Sequence, residues 1–197
     1  MKQSVEYPPN LIHIMEQTEV LIKEFGCSQT TLKKIMDKAE VSKGAIYHYV
    51  SSKDELFGLM LKKNIFDVNE SFWNVLSQGE VDLQAPLKAI TDGLTFFFEP
   101  ASDVTNPIFI YLLSKTENPP VQQILDEFYS YSIAQASSWI EAGQQGCAIN
   151  PTINPEKTAA AFLTYSFGLR VTQLLAPTRT ALQKDEFYTY MMNTLKP

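Results

Sequence analysis

The stretch TTLKKIMDKAEVSKGAIYHYVSSKDEL, residues 30–56, decides how the chain is read. Leu32, Ile35, Met36 and Ala39 recur at helical spacing and form one apolar stripe. Thr30 or Thr31 is placed to cap that helix, because a threonine oxygen accepts from an orphan amide two or three residues on. Glu40 and Val41 interrupt the stripe. Ser42 is the next cap, and Ile46 with Val50 marks a second, shorter apolar face. Ser51 or Ser52 caps a third helix, with Glu55 three residues after Ser52 to close a capping box. Two helices joined by a turn of about three residues make a helix-turn-helix, whose second member enters the major groove of DNA.

The second of these helices, nine residues from Ser42 to Val50, is too short to bury much, yet it carries Tyr47, His48 and Tyr49 in a row. Three consecutive residues cannot share one helical face, so at least one large polar aromatic must point outward. Lys43 and Gly44 stand in the first turn, where a lysine can reach a base edge or a phosphate and a glycine lets backbone approach closely. Pattern alone leaves two architectures open, the helix-turn-helix and an ordinary helical hairpin with a solvated polar face.

The stretch VSKGAIYHYVSSKDEL closely resembles the DNA-binding signature of the TetR (tetracycline-repressor-like) family of bacterial transcriptional regulators. TTLKKIMDKAE is similar to that family's second helix, and Leu11–Phe25 to its first, so the motif resemblance covers roughly residues 11–62. Two departures stand out: Glu40 where the turn often carries glycine, and Val50 where phenylalanine is common. The resemblance implies an operator-binding surface. Lys43, Gly44 and Tyr47 would meet the major groove. Thr31, His48, Tyr49 and Lys53 would hold phosphates, with Lys33 at the groove edge. It also implies a weaker phosphate contact at His13, about where many relatives carry arginine.

Charge supports a local nucleic-acid surface. The formal net charge of –6 argues against DNA binding if taken alone. Residues 1–64, however, hold nine lysines against eight acids, a net of +1, whereas residues 65–197 hold seven basic and fourteen acidic side chains, a net of –7. Lys33, Lys34, Lys38, Lys43 and Lys53 concentrate near the expected DNA surface, the footprint of one module that meets phosphate beside a remainder that does not.

Hydrophobic content of 45% and charged content of 19% are those of a soluble globular protein. No basic start precedes an apolar core and cleavage site, and no apolar run nears the ~20 residues a membrane span needs, so a cytoplasmic protein without membrane contact is expected. Cys27 and Cys147 are too few and too distant in sequence for a disulfide scaffold, and read as reduced thiols. Only His13 and His48 are histidines, no metal-ligand spacing appears, and no glycine-rich phosphate loop or Gly-x-Ser-x-Gly elbow is present. No enzyme, cofactor or metal is expected.

In chain order, Met1–Asn10 reads as a short arm with Pro8-Pro9, followed by a helix over Leu11–Phe25 that Gly26 ends in a left-handed cap. The third helix passes Leu56 and either continues or kinks into residues 64–76. A break is expected at residues 77–82, an interior helix over 85–98, a loop over 99–103 and another helix from Ile108. A long helix should begin near Pro120 and run to Ala142, stopping in the region of Gly143 and Gly146. Asn154-Pro155-Glu156 is a cap, a first-turn proline and an acid at the positive helix end, opening a helix to Leu175. Residues 180–195 make the last. The expected fold is all-α with nine to ten helices. Residues 1–62 form the helix-turn-helix domain and residues 63–197 a helical ligand-binding and dimerisation domain.

The segment GQQGCAINPTINPEKTAAAFLTYSFGL resembles the corresponding TetR-family stretch more loosely, and implies a homodimer through a four-helix bundle. Ala159, Ala160, Ala161 and Gly168 allow close helix approach, although the same residues also suit internal packing. Most aromatics beyond residue 65 serve as core filling. Phe97, Tyr111, Tyr129 and Trp139 are the candidates to line an effector pocket, with Arg170 the basic residue to turn inward. Scarce basic residues favour a neutral apolar or aromatic effector, or a lipophilic cation held by ring faces, over a polyanion. Together these readings imply a homodimeric repressor released from a palindromic double-stranded DNA operator by a small molecule. The alternative is a small-molecule-binding protein of the same fold that has lost its operator, which the lysines and aromatics of residues 31–53 argue against.

Overall fold

Proline opens the first helix. Pro9 occupies a first-turn position, where the missing N–H is no loss, so α1 (Pro9–Gln29) starts ahead of the expected Leu11. Leu11, Ile14, Met15, Leu21 and Ile22 give it a buried stripe, and the buried Thr18 hydroxyl donates to the Ile14 carbonyl at 2.7 Å. Gly26 breaks the helix at φ 75°, ψ 166°. That is not the left-handed cap expected, because ψ lies far outside that well; it is a region only glycine enters readily. The chain makes one further turn before α2 (Leu32–Ala39) begins. The computed structural model describes residues 7–77, 83–93, 103–176 and 184–197, and these hold nine helices and no strand.

Thr31, not Thr30, caps α2, its hydroxyl accepting from the Lys34 amide at 3.2 Å. The buried Thr30 instead donates its hydroxyl to the Gly26 carbonyl at 2.9 Å. Glu40 ends α2 in the left-handed conformation (φ 54°, ψ 38°), and the Val41 amide reaches back to the Met36 carbonyl at 3.1 Å. A residue with a Cβ stands where glycine is usual. Ser42 caps α3 (Lys43–Tyr47) by accepting from the Ala45 amide at 3.2 Å. This helix is shorter than the nine residues expected. The Tyr49 amide bonds back only three residues, to Ile46 at 3.0 Å, so the chain tightens into a turn over His48 and Tyr49. In α4 (Lys53–Ser77), the Glu55 amide donates to the Ser52 hydroxyl at 3.1 Å, while the Glu55 carboxylate accepts from the Ser51 amide at 2.7 Å. Both serines thus share the capping duty. α4 runs on as a single helix rather than breaking near Asn64.

Beyond it lie α5 (Gln84–Gly93), α6 (Thr105–Leu113), α7 (Pro119–Gln145), α8 (Pro155–Leu175) and α9 (Lys184–Leu195). Of the break expected at 77–82, residues 78–82 lie outside the described residues, as do residues 99–102 of the loop expected at 99–103. Also outside them are the end of the helix expected over 85–98 and the start of the one expected over 180–195. Packing groups the chain into two compact units: Met1–Asn64 with Val104–Phe128, and Ile65–Asp103 with Tyr129–Pro197. Val104–Phe128 thus packs with the first unit, although it lies well beyond the domain boundary expected after residue 62.

Within the first unit, Gly58 of α4 lets α7 approach, because a Cβ there would sit 2.4 Å from Ile124 Cγ2. Lys115 pairs with the carboxylate of Asp54, at the first turn of α4. The Cys27 thiol is buried here. Burial pushes its pKa up to about 11, against the pull of the nearby Lys53 ammonium.

In the second unit, a Cβ on Gly143 would lie 2.3 Å from Ile149 Cδ1, so the loop after α7 folds back onto a bare stretch of helix. Cys147 holds the left-handed position of that turn (φ 58°), with the Ala148 amide bonded to the Gly143 carbonyl at 2.9 Å. Asn154 caps α8 as its sequence implies, accepting from the Lys157 amide at 2.9 Å. Asn69 Oδ1 accepts from two half-buried indoles, Trp73 at 2.9 Å and Trp139 at 2.7 Å, so neither ring leaves its N–H without a partner.

Two measurements test this local physics. Glu40→Gly relieves a left-handed backbone at the cost of a more flexible unfolded chain, for a net gain of about 0.5–1 kcal/mol, read as a raised urea midpoint. With a reagent that attacks thiolates at pH 8, the exposed Cys147 reacts first. Cys27, with roughly one thiolate in a thousand at that pH, reacts only on unfolding.

Candidate nucleic-acid interface

The surface built by α2, α3 and the turns beside them is held from behind by apolar contacts and from the sides by caps. Ile35, Ile46 and Val50 are almost wholly buried and fix the helices. Thr31, Lys33, Lys43, Gly44, Tyr47 and His48 all remain exposed, and Tyr49 is half-buried. Tyr47 keeps 47% of its surface in solvent, a large aromatic that the fold leaves uncovered. Lys43 Nζ lies 5.6 Å from the centroid of the Tyr47 ring, and the His48 and Tyr49 rings meet edge to face at 5.0 Å. Among the described residues a Cβ on Gly44 would find only Ser42 Oγ, at 3.9 Å, so none of them demands glycine there.

Lys53 departs from the expected phosphate contact. Its ammonium donates to three main-chain carbonyls, Cys27 at 2.9 Å, Ser28 at 3.2 Å and Thr30 at 2.8 Å. An ammonium has three N–H donors, so none is left for a phosphate. Lys34 does similar work, donating to the Gln29 carbonyl at 3.0 Å with its Nζ 4.4 Å from the Phe25 ring centroid. His13, for which the resemblance implied a phosphate contact, places Nε2 3.2 Å from the carbonyl of Ala39, at the end of α2. None of these three roles has a signal in the sequence, because each joins residues brought together only by the turn at Gly26 or the packing of α1 on α2.

The expected effector residues that are described divide between the two units. Phe97 lies outside the described residues. Tyr111 belongs to the first unit, where its ring packs edge-on to Phe57 at 5.6 Å and its hydroxyl accepts from Lys115 Nζ at 3.1 Å. The other three belong to the second unit. Tyr129 is 43% exposed, with its ring 6.4 Å from that of Phe167. Trp139 is half-buried and tied to Asn69. Arg170 is buried, and that burial lowers its pKa to about 9, against the opposing pull of the Asp103 carboxylate. Among the described residues no helix is long and apolar enough to cross a membrane.

Comparison with known proteins agrees with this geometry. The family model "Bacterial regulatory proteins, tetR family" matches residues 14–60, the segment that contains α2 and α3. The HTH-type transcriptional regulator YfiR of Bacillus subtilis is 24% identical over 151 residues, 76% of this chain and 72% of that protein. A TetR-family transcriptional regulator from Syntrophomonas wolfei superposes with a TM-score of 0.67 at 18% identity, covering 93% of this chain and 91% of its own. The SmeT–triclosan complex does so with a TM-score of 0.66 at 13% identity, covering 96% and 93%. The match to the tetR family of bacterial regulatory proteins thus falls on the segment that carries α2 and α3, and the fold is shared with these solved regulators over nearly the whole chain.

Proposed function

We propose that the protein is a homodimeric, cytoplasmic repressor that leaves a near-palindromic operator when a small molecule binds. The observation that carries the operator surface is the outward face of α3. Lys43, Gly44 and Tyr47 are exposed there; no described neighbour needs the glycine, and the large aromatic keeps nearly half of its surface in solvent. Those three residues meet base edges in the major groove. Thr31, Lys33, His48 and Tyr49 hold phosphates on either side. Lys33 makes no hydrogen bond or ion pair among the described residues, which leaves its ammonium for DNA.

Dimerisation is supported by the outer face of α8. Ala161, Thr164 and Gly168 are exposed at helical spacing, and Val171, Leu174 and Leu175 extend the same side with 41%, 55% and 79% of their surface in solvent. Solvated aliphatic side chains in one contiguous group mark an interaction face. Pairing through such a face about a twofold axis presents two recognition helices to one side of DNA, ~34–36 Å apart or a multiple of that. The effector is read as neutral apolar, aromatic or a lipophilic cation. Likeness to a regulator solved with triclosan supports that class.

Selection from a random duplex pool is expected to return a near-palindrome. Lys33→Met should lower the slope of log affinity against log salt by about one unit without changing sequence preference. Tyr47→Ala should instead relax preference at its base pair, by roughly 1–3 kcal/mol. Recovery of no preferred duplex by the wild-type protein would sink the operator reading. For assembly, Val171→Glu combined with Leu174→Glu should sediment as a helical monomer where the wild type sediments as a dimer. An unaltered dimer would remove that face of α8 from the interface.

A further inference from the structure

The geometry points to Lys53 as a positioning residue that sets the entry to α2 for DNA, held in place by Tyr111 of α6, and not as a DNA contact. The turn between Gly26 and Thr31 is the joint of the DNA-binding surface, since Thr31 caps α2 and α2 carries Lys33. Five carbonyls end here, and every one has a partner. Gly26 accepts from the Thr30 amide at 3.2 Å and from its hydroxyl. Gln29 accepts from Lys34. The Cys27, Ser28 and Thr30 carbonyls converge on the single Lys53 ammonium. The bond to the Thr30 carbonyl fixes the peptide plane that leads into Thr31. Lys53 is also the first residue of α4, so the same bonds tie the start of α4 to the end of α1 and close the loop that contains α2 and α3.

Tyr111 supplies the remaining wall. Its ring centroid lies 5.0 Å from Lys53 Nζ and 4.9 Å from Lys115 Nζ, so two ammoniums attend one ring. Asp54 pairs with Lys115 and offsets the repulsion between them. The electron-rich ring compensates Lys53 for lost water without competing for its donors, because a ring face accepts charge and leaves all three N–H groups for carbonyls. Arginine does not substitute for this arrangement. Its planar fork suits two parallel acceptors, whereas three converging carbonyls need the compact tetrahedral donor set of an ammonium.

The inference rests on reading α2 and α3 as the operator surface, and its test separates the two ideas. The probe is the duplex that the wild-type protein selects from a random pool, with Lys33→Met as the comparison variant. Lys53→Met and Tyr111→Leu should each weaken binding about tenfold at every salt concentration, with the wild-type salt slope. Lys53→Arg, which keeps the charge and folds even where the methionine variant does not, should also bind more weakly at unchanged slope. A slope reduced by about one in Lys53→Met, with both slope and affinity restored by Lys53→Arg, would mean a phosphate contact and overturn the proposal. Unchanged affinity in Lys53→Met would overturn it equally. If the wild-type protein selects no duplex, the operator reading fails by itself, and the clamp is judged by amide hydrogen exchange. Faster exchange at the Thr30 and Lys34 amides in Lys53→Met and Tyr111→Leu upholds it, and wild-type exchange there refutes it.

Discussion

A helix end leaves carbonyls without partners, and the first domain of this protein is arranged around one such end. Gly26 stops α1 abruptly, and the extra turn that follows exposes its last carbonyls together where α2 must start. Left unpaired, the part-buried carbonyls of Cys27 and Thr30 would each cost about 1–3 kcal/mol. Lys53 and Lys34 supply the donors, one from the start of α4 and one from α2 itself. The charges are also of the favourable sign, cations at the negative end of a helix. Helices of eight and five residues have no stability in isolation. They persist because their ends are closed and because Ile35, Ala39 and Ile46 are buried.

The lysines of the first domain therefore divide into two populations that composition cannot separate. Lys53 and Lys34 are spent on the protein's own backbone, Lys115 on Asp54 and Lys62 on Glu127. Lys33 and Lys43 remain turned to solvent. The basic character expected of a DNA-binding module is thus carried by fewer ammoniums than the sequence holds.

In the second unit close approach takes the place of capping. Gly143 and Gly93 are the positions where another side chain needs the space of a Cβ, Ile149 in one case and Val68 in the other. Gly168 has open space instead, on the outer face of α8, so its bare backbone serves no neighbour among the described residues. Two indoles share one amide oxygen at Asn69, so both N–H groups are satisfied beside a core that is mostly aliphatic. Tyr165 lies stacked on Phe187 at 4.9 Å and on Tyr190 at 5.0 Å, an arrangement that joins α8 to α9 by ring faces. These rings act as the core filling expected of most aromatics beyond residue 65.

Helix existence was legible in the residues because it depends on local patterns. The Thr31, Ser42 and Asn154 caps, the prolines at first turns and the stripe of Leu32, Ile35 and Ala39 act within a few residues of chain. The family signature was legible for the same reason, being one contiguous run. Helix ends were less so: α3 stops short because the Tyr49 amide chooses a partner three residues back, a matter of fine backbone geometry. Side-chain partners across the fold were not legible at all. Lys53 meets carbonyls 23 to 26 residues away, and Tyr111 meets Lys53 because α6 joins the first unit. Sequence by itself determined which segments are helical and which family they resemble. Only the tertiary structure decided which ammonium faces a carbonyl and which faces solvent, because a lysine's long stem reaches several partners and only the packed positions of distant helices select among them.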